Sequence, residues 1–110
     1  MRQYKEMIIR HPKPYWSPKL ELNGKWLDKL GFSIGTTVNA HFQDGCLFLS
    51  TDPTAKSDFA VMVVKPKRVR GRIRPQLVID SIMIRRLGYL INQRLGLTLE
   101  QNSIQISVVS

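Results

Sequence analysis

Six cations fall within ten residues of this chain: Lys65, Lys67, Arg68, Arg70, Arg72 and Arg74, with no acidic residue between Phe59 and Pro75. Arg68, Arg70, Arg72 and Arg74 alternate with Val69, Gly71 and Ile73. If the segment is extended, its period of two puts all four guanidinium groups on one face, repeating every ~6.6 Å. That spacing suits successive phosphates of one nucleic-acid strand, and Arg forks fit both phosphate oxygens and guanine edges. Four such contacts predict a salt slope of about −3 to −4 on duplex DNA. Gly71 would allow a bulge or a close approach. The plainer alternative is an edge strand guarded by charge against aggregation, but guarding normally takes fewer charges, and often Lys.

A second, weaker patch lies in the proline-rich stretch near the N-terminus, at Arg10, Lys13 and Tyr15. Tyr15 could stack on an unpaired base, whereas the neighbouring Trp16 reads as an aromatic closing over the core. Catalytic chemistry has little support, and no catalytic residue, metal ligand or cofactor is expected. His11 and His41 belong to different elements and neither has metal-ligand spacing to Cys46. His41 sits in the polar phase of a strand and is expected to be exposed. A ribonuclease built on His41 and an arginine is the one catalytic arrangement considered. Phosphate-cradling glycine loops, zinc motifs and nucleophile elbows are absent from the sequence.

The 110 residues suffice for one compact domain or two intertwined halves. The net charge of +9 is concentrated. Residues 1–17 carry +3, 18–58 carry −1, 59–75 carry +6 and 76–110 carry +1. Such localisation is the footprint of a polyanion binder. Cys46, the single cysteine, excludes an intrachain disulfide and reads as a small buried hydrophobe in a cytoplasmic protein. No apolar stretch has transmembrane length and no signal peptide is visible, so no membrane partner is expected.

The elements that must position these cations repeat. Residues 18–50 lie over residues 75–107 without a gap at an offset of 57. Apolar pairs include Leu20/Leu77, Leu22/Ile79, Leu27/Ile84, Val38/Leu95 and Leu47/Ile104, and Gly31 matches Gly88. Each copy reads as a half-buried strand, a short helix and a hairpin. Asn23 and Asp80 are the expected N-caps, and Gly31 and Gly88 the expected left-handed C-terminal residues. Asp44-Gly45 and Gln101-Asn102 are the expected turns. A strand over Lys5–His11 precedes the first copy. A strand over Phe59–Val64, running on into the basic segment, precedes the second. The expected division is 1–52, a linker at 53–58, and 59–110.

In the first copy, Pro18, Leu20 and Leu22 are followed by Gly24, Trp26 and Leu27, then Gly31 and Phe32, Gly35, Thr36 and Val38, and finally Gly45, Cys46 and Leu49. This pattern resembles the SymE-like toxins of the AbrB/MazE swapped-hairpin superfamily, over roughly residues 5–51. The second copy lacks counterparts of Gly24, Trp26, Gly35 and the Gly45-Cys46 pair. The resemblance implies a mostly β fold with two short helices (α+β), in which two internal repeats close one swapped-hairpin AbrB-like β-barrel. It also implies a prokaryotic toxin–antitoxin or mobile-element setting.

Together these features predict a non-enzymatic nucleic-acid-binding protein, a SymE-like toxin or an AbrB-like DNA-binding regulator, with DNA or RNA as partner. An RNA-cleaving SymE-like toxin is the first alternative. A mobile-element inhibitor docking a host-defence protein or a ribonucleoprotein is the second. A monomeric pseudo-dimer and a homodimer both fit.

Overall fold

The computed structural model describes residues 2–9, 18–58, 62–90 and 93–109. Along the chain, β1 (Gln3–Ile8) and β2 (Leu20–Asn23) lead to α1 (Lys25–Lys29) and the hairpin β3 (Thr37–Gln43) and β4 (Cys46–Ser50). Then β5 (Met62–Val63), β6 (Lys65–Val69) and β7 (Arg72–Ile79) lead to α2 (Ser81–Arg86) and the hairpin β8 (Arg94–Glu100) and β9 (Ser103–Val109). The protein is mostly β with two short helices.

Alternating apolar residues form the strands because each sheet buries a single face. In β4, Leu47 and Leu49 are fully buried while Cys46, Phe48 and Ser50 are half-buried. One apolar core joins Leu20, Leu22, Leu77 and Ile79 of the smaller sheet to Val38, Leu47, Leu97 and Ile106 of the larger. Leu27 and Ile84 from the helices, with Phe32 and Tyr89 just beyond them, complete it. Asp80 caps α2, its Oδ1 accepting from the Met83 N–H at 3.0 Å. Asn23 does not cap α1. Gly24 takes that position at φ +127°, and Asn23 offers its carbonyl to Trp26 Nε1 at 2.9 Å.

The expected closed barrel does not form. Among the described residues the strands make two open sheets, in the orders β1-β8-β9-β4-β3-β5 and β2-β7-β6. Closure would need a long strand at the β3 edge to meet β1. Among the described residues β5 pairs only with Thr37 and Val38, and the chain passes beyond Val64 into the second sheet.

The registers carry the 57-residue offset of the sequence. β3 and β8 start and end 57 residues apart. Phe48 faces Gln105 across β4–β9, and Glu21 faces Val78 across β2–β7; each pair is itself 57 residues apart. β1 pairs with β8, and β5 with β3. Among the described residues no helix is long and apolar enough to cross a membrane.

Candidate nucleic-acid interface

The basic segment is a hairpin, not one continuous strand. β6 and β7 pair antiparallel around a two-residue turn, Arg70-Gly71, with Lys67 opposite Arg74, Arg68 opposite Ile73 and Val69 opposite Arg72. Both turn residues have positive φ, +50° at Arg70 and +79° at Gly71. That geometry matches the right-handed twist of the flanking strands.

The reversal redistributes the charge. Cross-strand partners share a face, so Lys65, Lys67, Arg72 and Arg74 lie together with Val69 and Gln76. Arg68 lies on the opposite face with Ile73, and Arg70 sits at the tip. The expected row of four arginines is therefore divided three ways, while two lysines join the remaining two arginines. Residues 68–73 are exposed on both faces, including Ile73 and Val69, so the ribbon stands clear of the core. A shallow hollow of 550 Å³ is lined by Val69, Arg70, Arg72 and Arg74.

Glu21, unremarked in the sequence, moderates this face from the neighbouring strand. Its carboxylate takes Lys19 Nζ at 3.3 Å, Lys67 Nζ at 3.4 Å and Gln76 Nε2 at 3.4 Å. The hydrogen bond from Lys19, followed by Lys67, holds the Glu21 carboxyl below its ordinary range against a smaller opposing effect of burial. Among the described residues, Lys65, Arg68, Arg70, Arg72 and Arg74 make no ion pair. Arg10, Lys13 and Tyr15, with Trp16 and His11, lie outside the described residues. Arg86, exposed on α2, packs over the Phe42 ring at 5.2 Å.

A second polar constellation lies on the solvent side of the larger sheet. His41 is not freely exposed. Its Nδ1 lies 2.9 Å from Asp58 Oδ2, its Nε2 lies 3.4 Å from Gln43 Oε1, and its ring tilts toward Phe48 at 6.5 Å. Asp58 reaches it because the connection after β4 folds back along the β3 edge. The Asp58 N–H donates to the Ala40 carbonyl at 2.7 Å, and Asp58 Oδ2 accepts from the Phe42 N–H at 2.7 Å. That backbone hydrogen bond, then His41 and then the Lys56 ammonium, keeps the Asp58 carboxyl below the usual carboxylate range despite its partial desolvation. Seventeen residues separate the pair, so no local pattern announces it. Cys46 is half-buried rather than buried, its Sγ 3.4 Å from the Gln105 amide nitrogen. Among the described residues no three His, Cys, Asp or Glu side chains gather as a metal site.

Comparison with known proteins bears on what this surface serves. Fifty-three residues, 48% of the chain, are 34% identical to the Endoribonuclease SymE of Escherichia coli O157:H7 (strain EC4115 / EHEC). The same identity and coverage hold for the proteins of that name from Shigella flexneri and from Escherichia coli (strain K12 / MC4100 / BW2952). These matches support a SymE-like relationship. The chain spans about half the length of these curated relatives, 47%. No family model matches, and no solved structure matches. These comparisons do not extend to the swapped-hairpin superfamily.

Proposed function

We propose that this chain is a SymE-like, RNA-directed protein of toxin–antitoxin type that grips RNA on the β6–β7 ribbon, with RNA cleavage as its reaction. The observation that carries this is the solvent-side face of Lys65, Lys67, Arg72 and Arg74, with Lys67 and Arg74 half-buried, continued by the exposed Arg70 at the tip. The relatives' name supplies the choice of RNA. Phosphates along one strand would meet the cations in turn, and guanidinium planes would stack on unpaired bases, since the ribbon carries no aromatic side chain. The 57-residue offset in the registers supports a pseudo-dimeric arrangement, with residues 1–52 and 59–110 acting as two copies of a swapped-hairpin unit in one chain.

A second reading, an AbrB-like regulator on duplex DNA, is favoured by the ribbon's shape. A two-stranded ribbon fits the ~12 Å major groove of B-form DNA, whereas the A-form major groove is too narrow for it. Fluorescence anisotropy with unstructured RNA, duplex RNA and duplex DNA of one sequence separates the two. Tightest binding to unstructured RNA is expected. Failure of all three ligands at 50 mM salt would overturn both readings.

A further inference from the structure

We propose that His41, positioned by Asp58, is the proton-transfer site of RNA cleavage by this chain. The proposal rests on the RNA-directed reading above and names the site of its reaction. An imidazole paired with a carboxylate through Nδ1 keeps Nε2 available for proton exchange, and the pairing fixes the ring's orientation as well as its tautomer. His41 meets both conditions. Asp58 accepts at 2.9 Å, and Asp58 is itself held by two backbone groups of β3, the Ala40 carbonyl and the Phe42 N–H. The side chains retain 21% and 25% exposure, so a ligand can reach the pair from solvent. Gln43 Oε1 lies 3.4 Å from Nε2, and this side chain must swing aside or turn its amide over for a ribose hydroxyl to reach the ring. β5 pairs with Thr37 and Val38 at the start of the strand that carries His41 and leads into β6, so chain connectivity links the two sites.

RNA carries its own nucleophile, so the protein need supply only proton transfer and charge. His41 Nε2 takes the proton of a ribose 2′-hydroxyl, and the 2′-oxygen bonds to the adjacent phosphorus. The P–O5′ bond then breaks, and the 5′-oxygen leaves with the proton returned by the imidazolium. The products are a 2′,3′-cyclic phosphate and a 5′-hydroxyl.

The test uses the full chain and a labelled 20-nucleotide RNA, with binding followed by anisotropy and folding by circular dichroism. Cleavage should yield the cyclic phosphate and should fail on the all-2′-deoxy oligonucleotide. His41→Ala should lose about 10²–10⁴-fold in rate while binding within twofold of the parent. Added imidazole should restore part of that loss, and should not do so in His41→Ala/Asp58→Asn. Asp58→Asn alone should lower kcat with KM unchanged. A folded His41→Ala variant that cuts at the parental rate, or a parent that binds RNA and never cuts it, would overturn the proposal and leave RNA binding standing. A parent that binds no RNA would overturn the functional reading and this site together.

Discussion

Dividing the ribbon's cations between two faces has a measurable consequence. A nucleic-acid strand lying on one face meets Lys65, Arg72 and Arg74, with Arg70 at the tip, while Lys67 is engaged by Glu21 and Arg68 points away. Four contacts at about 0.7 each give a slope of about −2.8 in log affinity against log salt for single-stranded RNA, or about a fiftyfold loss between 50 and 200 mM. Replacing Arg70, Arg72 and Arg74 by Gln leaves about one contact, a slope of about −0.7 and about a threefold loss over the same range. Glu21→Gln frees Lys67 and should act in the opposite direction, steepening the slope to about −3.5. Arg68→Gln is the decisive variant. If all four arginines shared a face it would cost a full contact, whereas the hairpin predicts a slope unchanged within error. Anisotropy titrations of a 20-nucleotide unstructured RNA at four potassium chloride concentrations measure each slope. An Arg68→Gln slope shallower by about 0.7, with Arg72→Gln unchanged, would refute the assignment of faces.

The fold itself yields further expectations. Leu97→Ala, at a fully buried site in β8, should cost about 2–5 kcal/mol in denaturant unfolding. Gly31 stands at φ +93° with the place of a Cβ overlapping Asn102 Oδ1, while Gly88, at φ +78°, has open space. Gly31→Ala should therefore destabilise more than Gly88→Ala, whose cost is set by backbone strain of about 1–3 kcal/mol; paired thermal melts measure the difference. Asp58 has a folded-state carboxyl held below its ordinary value, so its stabilising contribution is present above about pH 4 and is lost as pH falls through the depressed value. Asp58→Asn should be less stable than the parent at pH 7, and the two should converge in urea titrations carried out below about pH 4.

Much of this was legible in the sequence where local chemistry decides structure. Asp44-Gly45 turns where its residue types require, with φ +53° and +77°, and Gly31 and Gly88 end their helices with positive φ. The apolar alternation of Leu47 and Leu49 is the buried face observed. The ribbon departs from the expected single strand for a physical reason. A two-residue turn preserves the alternation of residue types, so Arg68 through Arg74 counts as a strand of period two whether or not it reverses. Arg at positive φ is also an uncommon turn residue, which hides Arg70-Gly71 further. The closed barrel was not to be had from the spacing either, because the apolar alternation does not show that the described strands divide into two open sheets. The His41–Asp58 pair depends on how a polar connection folds back along a strand edge, a tertiary outcome with no periodic signature.

The pairing of β1 with β8 sets a timetable for synthesis. Gln3 meets Leu99 and Ile8 meets Arg94, so the N-terminal strand leaves the ribosome with its partner still to be translated. At about 5–20 residues per second it waits roughly 4–20 s, its Met7-Ile8-Ile9 stretch open to other chains or to chaperones. The nascent polypeptide can close its larger sheet only once β8 has emerged, and crowded polysomes are where its losses to aggregation should concentrate.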